Sequence, residues 1–164
     1  MKMARPRLKN RGGALFGALM LLIFLTACEN HIVYNRYQTV EAMTWGKEDA
    51  YYFTFNIDDL SVPYNVTIEL RHNDFYSYRN IWLFCDEELP VGPVLRDTVE
   101  FFLSDEYGRW HGKGFSLYEA GLVMKSGYSF PYKGQYTYCF RQGMRDDRLR
   151  GIQEIGLRVE KIGR

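Results

Sequence analysis

The sequence predicts an all-β fold, an antiparallel β-sandwich of jelly-roll or immunoglobulin-like type with about eight strands. Three observations carry this. Apolar residues alternate with a period of two through much of the chain after residue 28. Aromatic residues are abundant, with 13 Tyr, 11 Phe and 3 Trp, and such residues favour pleated, half-buried surfaces. Turn-forming residues recur between the apolar runs, and no segment shows the three-turn apolar stripe of an amphipathic helix.

Each strand has its own pattern. In residues 50–57, Tyr51, Phe53 and Phe55 alternate against Tyr52 and Thr54. In 64–71, Val66, Ile68 and Leu70 share one face, while Asn65, Thr67 and Glu69 share the other. Residues 81–85 are apolar on both faces, predicting a central strand buried between two layers, with Trp82 in the core. Residues 94–103, 135–141 and 155–162 complete the main set, and 32–37 and 122–125 add two shorter runs. Between them fall Asp58-Asp59, Asn73-Asp74, the segment 90–93, the segment 105–108, Gly127, Pro131 and Gly134 as turn signals. The segment 141–150, with four arginines and two aspartates, reads as a mobile loop.

The start of the chain is of a different kind. Residues 1–27 carry five basic residues and no acidic one, so the rest of the chain holds 16 basic against 20 acidic residues. That acidic balance has no electrostatic footprint for nucleic acid. The basic segment 1–11 precedes an apolar run, 14–25, of 12 residues. A membrane-spanning helix needs about 20, so the run fits the h-region of a secretory signal. Leu25-Thr26-Ala27-Cys28 then resembles the bacterial lipobox, whose small residues enter a peptidase site and whose cysteine thiol takes the lipid. The chain is therefore read as a signal peptide, 1–27, and a lipid-anchored domain, 28–164, with diacylglyceryl on the Cys28 sulfur and a palmitate-like acyl chain on its amine. Several acyl chains make a stable anchor where one gives only reversible binding.

Catalytic patterns are sparse. His31, His72 and His111 lack metal-ligand spacing, there is no G-x-S-x-G elbow, and Gly112-Lys113-Gly114 reads as a glycine-rich turn rather than a dinucleotide loop. No cofactor or metal is expected, and the chain is read as a non-enzyme. Asp86-Glu87-Glu88, Asp105-Glu106 and Asp146-Asp147 read as solvated loop charge in preference to calcium ligands. Strand parity sets Cys85 inward and Cys139 outward, against a disulfide between them. Trp110, in the turn that also holds Arg109 and His111, is the best exposed candidate for stacking on a sugar or a partner; the competing reading is a tryptophan anchoring its turn onto the core. Asp97-Thr98-Val99 resembles the acceptor for O-linked glycans on exported Bacteroidetes proteins, with Thr98 as the acceptor.

A set of stretches in order resembles the GldH family of gliding-motility lipoproteins. They are the lipobox, Val33-Tyr34 with Tyr37, Trp45-Gly46-Lys47-Glu48-Asp49, Leu70-Arg71-His72-Asn73, Tyr78-Arg79-Asn80-Ile81 and Asp97-Thr98-Val99-Glu100. They continue with Gly108-Arg109-Trp110-His111-Gly112-Lys113-Gly114, Gly134-Gln135-Tyr136, Met144-Arg145, Leu149-Arg150-Gly151-Ile152 and Ile155-Gly156-Leu157-Arg158-Val159-Glu160. The resemblance implies a Bacteroidetes cell-envelope lipoprotein associated with the gliding and type IX secretion machinery, and no reaction. Cys28 is the one position whose role it transfers. Glu29 stands alone after Cys28 rather than in an acidic run, which leans toward the periplasmic side of the outer membrane over the cell surface. The alternative reading is a carbohydrate-binding envelope lipoprotein.

Overall fold

The computed structural model describes residues 31–163 of the chain. The signal peptide, the lipobox and Cys28 lie outside the described residues. Two four-stranded sheets form a sandwich, and every strand pairing is antiparallel. The strands are β1 (Ile32–Thr39), β2 (Thr44–Gly46), β3 (Ala50–Ile57), β4 (Tyr64–His72), β5 (Asn80–Glu88), β6 (Leu95–Phe102), β7 (Tyr118–Tyr128), β8 (Gly134–Gln142), β9 (Arg148–Arg150) and β10 (Ile152–Lys161). The first sheet has the order β1-β10-β4-β7 and the second β3-β8-β5-β6. A two-stranded ribbon, β2-β9, buries Trp45 and Leu149 against the sandwich. A single 3-10 turn at Glu41–Met43 is the one helical element among the described residues.

The core follows the alternation. Val66, Ile68 and Leu70 of β4 and Ile155, Leu157 and Val159 of β10 face Phe53, Phe55 and Ile57 of β3, Ile81 and Leu83 of β5, and Tyr136, Tyr138 and Phe140 of β8. Each such side chain contributes about 1.5–3 kcal/mol by leaving water. Aromatic rings join the layers: Phe55 lies 5.6 Å from Tyr34 of the other sheet and about 6 Å from Tyr136 and Tyr138 on its own. The parity of the cysteines is as read. Cys85 pairs with Phe140 on the inner face, Cys139 lies opposite Asp86 and Tyr52 on the outer face, and both thiols are free.

Four readings need correction. The strand at 81–85 is interior to its sheet, between β8 and β6, but it is covered on one side only: Trp82 and Phe84 stand on the outer face, 39% and 44% exposed. An apolar outer face does not by itself supply a third layer to cover it. Glu87 belongs to β5, not to a loop; it points inward and is buried, with Lys125 Nζ 2.5 Å from its carboxylate. The 141–150 segment is built rather than loose. Gln142 Nε2 donates to the Asp146 carbonyl at 2.8 Å, the Met144 amide donates to Gln142 Oε1 at 2.8 Å, and β9 follows. Finally, β7 runs through the turn signal at Gly127, where the chain takes a φ of +63° next to the irregular pairing with Asn65 and Val66.

Candidate functional site

Strand direction sorts the loops into two ends. At one end lie the start of β1, the end of β10 and the connections 58–63, 89–94 and 129–133. At the other lie the connections 73–79, 103–117 and 143–147, together with the ribbon. The sequence candidates Arg109, Trp110 and His111 belong to this second end.

Asp105 organises their turn. Its Oδ1 accepts the amides of Tyr107 and Arg109, both at 2.9 Å, and its Oδ2 accepts Arg109 Nε at 2.7 Å. These hydrogen bonds, that from the Arg109 amide foremost, hold the Asp105 carboxyl below its ordinary range. Trp110 is half-buried, not displayed. Its indole N–H donates to Asp74 Oδ1 at 2.8 Å, and its ring meets His72 edge-on at 4.6 Å, with Tyr118 6.0 Å away. Trp110 therefore anchors the turn to β4 and β7. Beyond it, the His111 amide donates to the Leu103 carbonyl at 2.7 Å, and Gly112 takes a φ of +99° that carries the chain past β7. A Cβ on Gly112 would stand 2.0 Å from the Glu119 carbonyl oxygen, so the glycines of this motif are needed for backbone approach.

What this end displays is a different set of rings. Phe115 is 94% exposed, Tyr107 77% and Phe75 70%. The Arg109 guanidinium lies 5.4 Å from the Tyr107 ring and that of Arg150 5.9 Å from Phe75. Sequence reasoning passed over these three residues, although each is a large aromatic inside a run of turn-forming residues, which was the available signal.

The two outer sheet faces differ sharply. On the second sheet, Trp82, Phe84 and Phe102 are exposed beside Arg141, Asp86 and Arg96. Arg141 Nη2 donates to Asp86 Oδ2 at 2.9 Å, and Arg96 Nε stands 3.7 Å from the other carboxylate oxygen. Phe84, these three charged groups and Thr98 line a shallow depression of about 460 Å³, and Trp82, Tyr78 and Met144 line a neighbouring one of about 620 Å³. Thr98 is exposed in the middle of β6, with its amide hydrogen-bonded to Asp97 Oδ1 at 2.7 Å.

On the first sheet the outer face is closed. Tyr37 lies flat across Gly156, where a Cβ would come within 2.7 Å of the ring, and its hydroxyl donates to Glu69. Arg158 Nε lies 3.1 Å from Glu69 Oε1. The Arg71 guanidinium covers the Tyr37 ring at 4.1 Å and donates to Glu119 at 2.8 Å and Glu154 at 2.6 Å. Burial and the adjacent Glu69 carboxylate hold the Tyr37 phenol well above its usual range. Tyr37, Arg71, Gly156, Arg158 and Glu160, drawn from three of the stretches that carry the family resemblance, meet here.

The three histidines stay apart. His31 precedes β1, His72 is buried at the end of β4, and His111 is exposed in the second-end turn. Among the described residues, no three His, Cys, Asp or Glu side chains are grouped to hold a metal ion. No helix among them is long and apolar enough to cross a membrane.

Comparison with known proteins agrees with the resemblance. The family described as GldH lipoprotein matches residues 32–159, which takes in β1 to β9 and all but the last two residues of β10. The chain is 29% identical over 156 residues to the gliding motility lipoprotein GldH homolog of Christiangramia forsetii, covering 90% of this chain and 95% of that protein. It is also 29% identical over 163 residues to the gliding motility lipoprotein GldH of Flavobacterium johnsoniae, covering 94% and 98%. A match over residues 32–159, most of the described chain, makes the chain a member of the GldH lipoprotein family.

Proposed function

We propose that this lipoprotein acts without catalysis, as a binding component of the gliding and type IX secretion machinery. In this reading it is held by acyl chains on Cys28 at the periplasmic side of the outer membrane. The observation that carries it is the division of the surface: one sheet face is sealed by paired charges, while aromatic side chains are displayed on the other face and on the Trp110 end. Displayed aromatics next to arginine are the residue types that anchor protein interfaces. Several titratable side chains serve turn and sheet architecture: Asp105 holds a turn, Glu69 and Arg71 hold a sheet face, and Glu87 is paired with Lys125.

The test is recovery of partners from native envelopes with a tagged chain, with Cys28 intact and as Cys28→Ala. Co-purification of other motility or secretion subunits with the intact chain, lost with Cys28→Ala, supports the assembly reading. Full motility with a soluble Cys28→Ala protein counts heavily against it. A second reading, binding of an envelope glycan, rests on Trp82 and Phe84 beside Asp86 and Arg96, since planar rings flanked by charged groups suit a sugar face. Glycan-array binding that disappears with Trp82→Ala favours that alternative, whereas Trp110→Ala perturbs the fold of its turn instead.

A further inference from the structure

We infer that the end of the sandwich carrying the start of β1 is itself a membrane-contacting surface, whose aliphatic loop tips rest in the lipid headgroup region. The inference rests on the Cys28 anchor proposed above. Covalent reach sets the first constraint. The His31 carbonyl already accepts the Lys161 amide at 2.7 Å, so the chain is tied into the sandwich by residue 31. Three residue steps from Cys28 to His31 span at most about 11 Å. The 10 residues of β10 alone extend about 33 Å along the sandwich. A tether so much shorter than the body it holds keeps the β1 end at the bilayer, whatever the body's tilt.

The side chains at that end have the matching chemistry. Exposed there are Ile32 at the start of β1, Leu60 in the 58–63 connection, Val91 and Val94 in 89–94, Leu95 at the start of β6 and Tyr132 in 129–133. Val91, at the tip of its connection, is 63% exposed. Aliphatic side chains carried on two connections and on the starts of β1 and β6 stabilise contact with the acyl boundary, and a tyrosine on the third connection places its ring there with its hydroxyl toward water. The charges of this end do not give it a basic footprint. Lys161 is paired with Asp59 at 3.2 Å, and Asp58 and Glu88 offset Lys133. The contact is therefore apolar and insensitive to anionic lipid. The opposite end displays aromatic rings and arginines in place of aliphatic tips, and this orientation points it, with the Trp110 turn, away from the bilayer toward partners.

The experiment uses the full lipoprotein, matured in its host, purified and reconstituted in phosphatidylethanolamine vesicles with and without phosphatidylglycerol. An environment-sensitive fluorophore is placed on Val91→Cys, on Tyr132→Cys or on Phe115→Cys, Cys85 and Cys139 being buried in the fold. Intact mass reports acylation of Cys28 independently. The expected result is a blue-shifted label at positions 91 and 132, with iodide quenching several-fold weaker than at position 115, equally in both lipid compositions. Equal quenching at the three positions in a protein of acylated mass overturns the membrane contact while leaving the anchor intact. A mass lacking acyl groups overturns the anchor, and the contact with it. Protection that appears only with phosphatidylglycerol overturns the apolar contact in favour of an electrostatic one.

Discussion

Strands β4 and β5 occupy equivalent interior positions in the two sheets, yet their outer faces are opposite in character. In β4 the outward residues Thr67 and Glu69 are polar and buried; in β5 the outward residues Trp82 and Phe84 are aromatic and exposed. What decides the matter is the neighbours. Beside β4 lies β10, whose Gly156 leaves room for the Tyr37 ring from β1; Arg71 covers that ring, and Arg158 pairs with the Glu69 carboxylate. Beside β5 lies β8, which offers Arg141 and Cys139, and Trp82 and Phe84 keep 39% and 44% of their surface in water. A charged face can thus be architecture while an apolar one is left exposed.

The largest expected effect comes from breaking the closed face. Glu69→Ala removes one of the two carboxylates beside Arg158, leaving Glu160 at 3.6 Å, and takes away the acceptor of the Tyr37 hydroxyl. Because Arg158 is partly exposed and only the Tyr37 hydroxyl is left unpartnered, the cost is about 1–3 kcal/mol, readable as a lower urea midpoint at unchanged slope. The same pair of measurements on Trp82→Ser with Phe84→Ser sharpens the contrast. Because both rings are already substantially in water, that double variant should lose no more than about 1 kcal/mol per site. Its effect is expected in partner or glycan recovery instead, and a loss of stability equal to that of Glu69→Ala would show that the open face is structural too.

The smallest effect concerns His72, at the end of β4 and without a hydrogen-bond partner on either ring nitrogen. Burial lowers its pKa below the ordinary 6.5, against the opposing pull of Asp74. The sign follows from proton counting. As the pH falls through about 6.5 the unfolded chain takes up a proton that the folded chain refuses, so stability present above that pH is lost below it. His72→Phe, which keeps a ring against Trp110 and Tyr118, should flatten the stability profile below about pH 6.5 relative to the parent. An unchanged slope would place the acid sensitivity elsewhere.

A thiol count makes a further check on face assignment. Burial pushes the Cys85 thiol up to about 12 and raises Cys139 as well, so neither should react with a maleimide in the native state. In denaturant without reductant, the mature acylated protein should yield two free thiols, and none if the parity assignment and the absence of a bridge are wrong.

Strand existence and inward parity were legible in the sequence, because both depend on alternation within one segment. Residues 50–57 coincide with β3, and Val66, Ile68 and Leu70 face the core as their pattern requires. The placement of both cysteines on opposite faces was legible for the same reason. The Trp110 motif was read correctly as a glycine-dependent turn, but Trp110 itself is the anchor, and Phe75, Tyr107 and Phe115 are the displayed rings. The anchoring contact is with Asp74, 36 residues away, and no local pattern reports it.

The sequence by itself determined the fold class, the eight strands of the sandwich though not the β2-β9 ribbon, the cysteine parity and the family resemblance, since these are encoded in short-range periodicity and ordered motifs. Only the tertiary structure decided which outward face is covered. Coverage of Glu69 is supplied by a tyrosine 32 residues before it and an arginine on the last strand, and exposure of Trp82 follows from what its neighbours lack. Burial is a property of the assembled neighbours rather than of the residue, so the polar face of β4 became interior and the apolar face of β5 remained in water.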